Sequence, residues 1–336
     1  MKVLAIESSC DDTGVAVVEN GRNVLSSVVS SQIEFHKIYG GVVPEIASRK
    51  HIEAIAPLTR LALEKSGLAL EDIDALAVTY APGLVGSLLV GVNFAKGLAL
   101  STGLPLVPVH HIKSHIASLY LSNPELKPPF LCLVVSGGHS HILQVQSYTE
   151  IKILGRTRDD AAGEAFDKIG RRLNFDYPGG IMLDKIAENG NDSAFKLPVP
   201  LSDEKTYDFS FSGLKTAMIN IINGYNQKGE PLPTADISAT FRKSVVDCLV
   251  NNFIKAAKDY NFTKIAIAGG VSANSLLRRR LDEESAKRGF EFFKPKKELC
   301  GDNAAMVGSQ GYYEFLAGKR ADLSLNAMAS KAIDAD

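Results

Sequence analysis

Cysteine is scarce: Cys10, Cys132, Cys248 and Cys300 are the only four, and they stand far apart with no CxxC spacing. That excludes a disulfide framework and a zinc knuckle and points to a reducing, cytoplasmic setting. Charge of one sign is also missing in excess, since 37 Lys and Arg face 38 Asp and Glu. No overall basic field marks the chain for nucleic acid or an anionic membrane, so any such partner is met by a local patch. Long apolar runs are few. The N-terminus reaches Glu7 after four apolar residues, Val3 to Ile6, too short a run for the core of a signal peptide. Leu84 to Thr102 has the length of a membrane span, but Asn93, Lys96 and three glycines interrupt it, so a buried core helix and no membrane contact are expected.

What remains is an ordinary globular composition, 45% hydrophobic and 22% charged over 336 residues, enough for about two domains. Strand-like alternation runs through Val3 to Ile6, Gly14 to Val18 and Val24 to Val29, with Asn20-Gly21 as a hairpin turn. A comparable unit begins at Leu131 to Val135, turns through Ser136-Gly137-Gly138-His139 and continues through Ser140 to Gln146 and Ile151 to Leu154. The chain starts twice, and each start is followed by alternating helix and strand patterns, which gives an α/β class. The expected architecture is two similar α/β lobes with a cleft between them. The first lobe takes 1–128 and the second 129–322, with an irregular, Gly- and Pro-rich insertion at about 174–234 and a weakly ordered tail at 323–336.

His111 and His115, four apart after a strand, share one helical face and can chelate one metal. Asp302, opening an expected helix after Cys300-Gly301, is a candidate third ligand of a two-His, one-carboxylate set. Ile112 stands where a zinc protease needs its glutamate base. The Ser136 to His139 turn offers backbone amides to a phosphate, and so does Ala268-Gly269-Gly270-Val271-Ser272-Ala273-Asn274 between strand and helix. A plain hairpin turn and an unliganded strand-to-helix turn are the alternatives. Neither turn has the spacing of a P-loop or of GxGxxG. Asp11 sits at the first-lobe turn equivalent to the Ser-Gly-Gly turn, while Asp159, Asp160 and Asp302 are candidate helix caps. Residues 251–300 hold 11 Lys and Arg against 6 Asp and Glu, centred on Arg278-Arg279-Arg280 and on Lys294, Lys296 and Lys297. That run reads either as a solvated face or as a track for a phosphate backbone.

Several stretches coincide with one family. They are Ile6-Glu7-Ser8-Ser9-Cys10-Asp11, Tyr39 to Glu45, Pro82-Gly83-Leu84, His110-His111 with His115, Val135 to His139, Ala162 to Lys168, Tyr177 to Gly180, Phe209 to Lys215 and Ala268 to Asn274. Over nearly its whole length the chain resembles the TsaD family of tRNA N6-adenosine threonylcarbamoyltransferases, once called O-sialoglycoprotein endopeptidases. The resemblance implies the actin-like fold shared with sugar kinases and heat-shock chaperones, around a nucleotide-binding cleft. It also implies transfer of a threonylcarbamoyl group from threonylcarbamoyl-AMP to the adenosine 3′ of the anticodon in tRNAs that read codons beginning with A.

Carried over by position, the resemblance implies that His111, His115 and Asp302 hold one divalent metal, iron(II) or zinc. Val134, Val135, Ser136, Gly137, Gly138, Asp167, Gly180, Asp184 and Asn274 are the implied adenylate-binding positions, and Asp11 the acidic residue near the reacting centre. Implied partners are tRNA, a paralogous actin-like subunit (TsaB), a small P-loop ATPase (TsaE) and a separate synthase of the adenylate, in a bacterial setting. Four departures from the family pattern stand out: Lys113-Ser114 between the histidines, Asp12 in place of Glu, Ile181 after Gly180, and Gly301 before Asp302. The rival readings are a metalloendopeptidase, a small-molecule kinase of the same fold and a non-catalytic scaffold. Retention of both histidines and Asp302 favours the active enzyme over the scaffold.

Overall fold

The first strands follow from alternation of small and β-branched residues: β1 (Lys2–Glu7), β2 (Asp12–Glu19) and β3 (Asn23–Ser31). Asn20 and Gly21 between β2 and β3 have φ of 50° and 68°, the left-handed pair that a tight hairpin requires. The chain continues through α1 (Ile33–Lys37), α2 (Pro44–Ser66), β4 (Ala75–Ala81), α3 (Val85–Thr102), β5 (Leu106–His110) and α4 (His111–Ser122). It then runs through β6 (Phe130–Val135), β7 (Ser140–Val145), β8 (Ile151–Arg156), α5 (Ala162–Arg172), α6 (Gly179–Ile186), α7 (Ser212–Lys228), α8 (Thr234–Asp259), β9 (Lys264–Ala268), α9 (Ser275–Arg288), β10 (Glu291–Phe293) and α10 (Ala304–Leu316). This computed structural model describes residues 1–202 and 204–334.

One sheet has the order β3-β2-β1-β4-β5, antiparallel through β1 and β2 and parallel through β4 and β5. The other has the order β8-β7-β6-β9-β10, the same order five strands later, with β6, β9 and β10 parallel. The double start of the sequence is therefore a repeated topology. By contacts the chain forms two units: Met1–Pro129 with Val145–Lys152 and Lys294–Asp336, and Phe130–Gln144 with Ile153–Phe293.

This division corrects the expected boundaries, because residues 294–322 return to the first unit. The cause lies in side-chain size. Leu4, Ile6, Val15, Val17, Leu76 and Val78 pack one face of the first sheet with Val92 and Ala95 of α3. The opposite face carries small residues, Ala5, Ala16, Ala75 and Ala77, and α10 lies against it through Ala304, Ala305, Met306 and Val307. A Cβ on Gly308 would stand 2.6 Å from Val18, and one on Gly311 2.5 Å from Ala77, so only glycine allows this approach. Burial of each larger side chain in these layers contributes about 1.5–3 kcal/mol.

The tail is likewise held rather than frayed. Met328 N–H donates to Tyr80 O, Gly83 N–H to Ala329 O, and Lys96 Nζ to Leu325 O. The last two residues of the expected tail lie outside the described ones. The 174–234 insertion also holds more structure than expected, since α6 and the 17-residue α7 occupy it, with Leu214, Met218 and Ile222 buried at helical spacing. Among the described residues one helix, α3, is long and apolar enough to cross a membrane, with mean hydropathy 1.3. Only 33% of it is buried, so it covers the sheet with one face instead of lying wholly in the core.

Candidate metal centre and nucleotide-binding turns

β5 ends at His110, whose side chain caps the helix that follows: Ile112 N–H donates to its Nδ1 at 3.2 Å. Its Nε2 donates to Lys331 O at 3.1 Å, which ties the C-terminal strap to the start of α4. An accepting Nδ1 and a donating Nε2 require a neutral ring. Burial lowers the pKa from 6.5 to about 3, with the nearby Lys113 and His111 charges adding to it. The unfolded chain therefore takes up a proton near pH 6.5 that the folded chain refuses until about pH 3, so stability falls as pH falls through that window. Between pH 7 and pH 5 this removes about 2 kcal/mol. Thermal unfolding of wild type and His110→Asn across that range tests it, with a shallower acid limb expected in the variant. Equal limbs would assign the loss to other groups.

His111 and His115, one turn apart on α4, are buried, with ring centroids 4.7 Å apart. Asp302 comes from the turn before α10, and its Oδ1 lies 3.6 Å from His111 Nε2 and 3.2 Å from His115 Nε2. Contrary to the expectation from sequence it neither opens nor caps that helix; Asn303 is the cap, accepting from Met306 N–H at 3.0 Å. Asn303 Nδ2 also donates to Gly301 O, which fixes the turn that presents Asp302. The close approach of α10 to the sheet thus delivers a carboxylate to two histidines nearly two hundred residues away in sequence.

The donor set fits a first-row divalent cation. The three ligand atoms lie within 4.8 Å of one another. Both ring nitrogens of the buried His115 lack hydrogen bonds, although Nε2 is 3.2 Å from a carboxylate oxygen. A buried polar atom without a partner is costly, and a cation held by Nε2 would satisfy that nitrogen. The electrostatics agree. Burial acts against a charged His111, yet Asp302 and Glu7 hold its pKa up at about 9, a surplus of negative charge asking for a positive one. Burial and the Asp302 charge raise the Asp11 carboxyl above its ordinary range, against a hydrogen bond from Cys10. Asp12, read from sequence only as a departure, is pushed up to about 7 by burial and by Asp11, Asp302 and Glu7, against a hydrogen bond from Ser31.

The second unit gathers the expected adenylate positions into three groups. Ser136 N–H donates to His139 O at 2.8 Å and Gly163 N–H to Ser136 O at 3.2 Å, leaving Gly137 and Gly138 exposed at the turn after Val134 and Val135. Gly163 at the start of α5 is required there, since a Cβ would stand 2.6 Å from Ser136 O. Asp167 Oδ1 accepts from Gly180 N–H at 2.9 Å, joining α5 to α6. Asp184 accepts from Asn274 Nδ2 at 3.0 Å and Ser275 N–H at 2.9 Å, while Asn274 caps α9 by accepting from Leu277 N–H.

Sequence reasoning missed Arg242, a buried arginine of α8 whose Nη1 lies 3.0 Å from Asp184 and 2.5 Å from Glu188. An arginine among other helical polar residues carries no signal of its own. Asp159 and Asp160 are not caps of α5, which has no side-chain cap. Asp159 instead accepts from Phe211 and Ser212 N–H at the start of α7, and Asp160 pairs with Lys168 and Lys215. Part of the basic run is neutralised: Arg280 pairs with Asp247, and Lys287 and Arg288 with Glu284. Of the departures, Ile181 is exposed and Gly301 has open space around it, while Lys113 is buried and donates to Thr149 O at 2.9 Å.

Comparison with known proteins agrees with this architecture. Among solved structures, HypF from T. kodakarensis superposes with a TM-score of 0.63 at 16% identity, covering 94% of this chain and 48% of that one. The (R)-2-hydroxyglutaryl-CoA dehydratase component A of Acidaminococcus fermentans gives 0.55 at 15%, covering 95% and 100%. Both bear out the fold of actin-like proteins and sugar kinases expected from sequence. The curated tRNA N6-adenosine threonylcarbamoyltransferase of Clostridium botulinum strain 657 is 53% identical over 98% of this chain and 96% of its own length. That of Clostridium novyi strain NT is 54% identical over the same shares. The TsaD family model, described as tRNA N6-adenosine threonylcarbamoyltransferase, matches residues 23–309. With that match, and with more than half of all positions shared over nearly the full length of curated relatives, the chain belongs to the TsaD family of tRNA N6-adenosine threonylcarbamoyltransferases.

Proposed function

We propose that this transferase takes its threonylcarbamoyl group from threonylcarbamoyl-AMP and delivers it to N6 of the adenosine 3′ of the anticodon in tRNAs reading codons that begin with A. The observation that carries the reading is the cluster of buried His111 and His115 with half-buried Asp302 in a chain of this family. The N6 amine attacks the carbamoyl carbonyl carbon, a C–N bond forms, and the C–O bond to phosphate breaks, with AMP leaving on the electron pair. That amine is a poor nucleophile because its lone pair is delocalised into the purine. Its proton goes to Asp11, whose carboxyl is raised by burial and so is better matched to that transfer than a solvated aspartate.

His111, His115 and Asp302 hold one divalent cation, iron(II) in preference to zinc. When bound, that ion supplies Lewis-acid polarisation and neutralises developing charge. In the second unit the amides of the Ser136 to Gly138 turn and the start of α9 at Asn274 suit a phosphate and its nucleoside. Asp167 and Asp184 hold Gly180 and Asn274 in place for that purpose. The family setting further suggests a bacterial cytoplasmic enzyme working with TsaB, TsaE and the synthase of the adenylate.

Reconstitution tests the reading. Purified chain, its paralogue and ATPase, threonylcarbamoyl-AMP and unmodified tRNA are expected to yield threonylcarbamoyladenosine by nucleoside mass spectrometry. No product from verified donor and partners, together with ATP hydrolysis stimulated by a small molecule and independent of tRNA, would replace it with a kinase.

A further inference from the structure

Glu7 ends β1 with its carboxylate wholly buried. Such a group is retained against its desolvation cost only when its partners satisfy both oxygens. Oε1 accepts from Ser9 N–H at 2.6 Å, and Oε2 accepts from Thr79 Oγ1 at 2.7 Å and faces His111 Nδ1 at 3.2 Å. With donors directed at both oxygens, the carboxylate has no proton to give to the ring. Nδ1 of His111 must then carry a hydrogen and donate it, which leaves Nε2, 3.6 Å from Asp302 Oδ1, as the nitrogen that gives up its proton when a cation binds.

One neighbour could upset this. Ser9 Oγ lies 3.1 Å from the same Nδ1, and a hydroxyl can donate or accept. If Ser9 donated there, the ring would carry its hydrogen on Nε2 and lose its ligand atom. The anionic Glu7 decides the matter, because a carboxylate attracts the N–H dipole and a neutral hydroxyl does so less. His115 has no such partner, since its Nδ1 makes no hydrogen bond.

We infer that Glu7 is the positioning residue of the metal centre, fixing His111 in the Nδ1–H form and making its Nε2 the stronger donor of the two histidines. The inference rests on the metal reading of the triad and adds a residue to it. Glutamine at position 7 has similar size but must turn an NH2 toward either Ser9 N–H or the Thr79 and His111 pair. Either way a donor meets a donor in a buried site.

Equilibrium binding of Zn2+, measured by chelator competition on the purified full chain, reads the effect apart from catalysis. Glu7→Gln is expected to weaken binding about ten- to hundredfold, and Ser9→Ala to change it by less than about threefold. Equal binding by wild type and Glu7→Gln, or a loss carried by Ser9→Ala instead, overturns the role of Glu7 and leaves the metal site intact. Wild type that takes up no Zn2+ overturns both. Should Glu7→Gln fail to fold, the histidine 15N shifts of Zn2+-loaded wild type decide the question. A protonated Nδ1 and a coordinated Nε2 at His111 support the inference, and the reverse assignment overturns it.

Discussion

His115→Ala is expected to purify without a divalent metal and to lose threonylcarbamoyl transfer by at least about 100-fold, more than a change in the surrounding shell produces. The residue sits in mid-turn on α4 with its ring buried and both nitrogens without hydrogen bonds. Its removal therefore breaks no hydrogen bond of the helix, and the cost to stability comes from the space its ring leaves and the lost approach to Asp302 Oδ1. Ser118 Oγ bonds the backbone carbonyl of His115, which alanine retains. Metal content by elemental analysis, transfer activity and the melting temperature separate the outcomes. A variant that keeps metal and activity would remove this histidine from the ligand set. A variant that loses both only through unfolding would make its role structural.

Gly269→Ala is expected to cost about 4 kcal/mol, the sum of backbone strain and overpacking. The residue has φ of +88° and ψ of 166°, a conformation open essentially to glycine, and a Cβ would stand 2.4 Å from Val135 O. Val135 immediately precedes the Ser136 turn, so the clash reaches the groups proposed for the phosphate. Gly270 next to it provides the matched control: nothing lies within 4 Å of its Cβ position and its φ is not left-handed, so Gly270→Ala is expected to cost less than about 1 kcal/mol. Urea unfolding of the two variants, with AMP binding in parallel, measures the contrast. Equal stabilities would mean that the two backbones do not meet at Val135.

Much of the fold is legible in the sequence because its cause is local. Alternation in Val3 to Ile6 and Gly14 to Val18 corresponds to β1 and β2, and Asn20-Gly21 to a left-handed turn. The i,i+4 spacing of His111 and His115 by itself places two imidazoles on one helical face, and α4 carries them so. The return of α10 is not legible in that way, since its cause is a small-residue face matched by Gly308 and Gly311 some three hundred residues later. Asp302 is accordingly one candidate carboxylate from the residues alone, and the family resemblance is what singles it out. α7 escapes the sequence reading although Leu214, Met218 and Ile222 repeat at helical spacing, because glycine, proline and asparagine on either side outweigh the repeat. Glu7 lies inside a family motif without a role of its own, since a carboxylate at a strand end reveals its partners only when β4 and α4 are placed beside it.

The return of α10 to the first sheet sets an order on how this protein is made. A ribosome completes β1 through α4 early, but the face built of Ala5, Ala16, Ala75 and Ala77 stays bare until α10 emerges. From His115 to Asp302, synthesis takes roughly ten to forty seconds at about 5–20 residues per second. Throughout that interval both stretches of the second unit leave the ribosome, while the first unit waits with its two histidines and without Asp302. A chain cut short before Asp302 thus carries the histidine helix without the carboxylate that stands beside it.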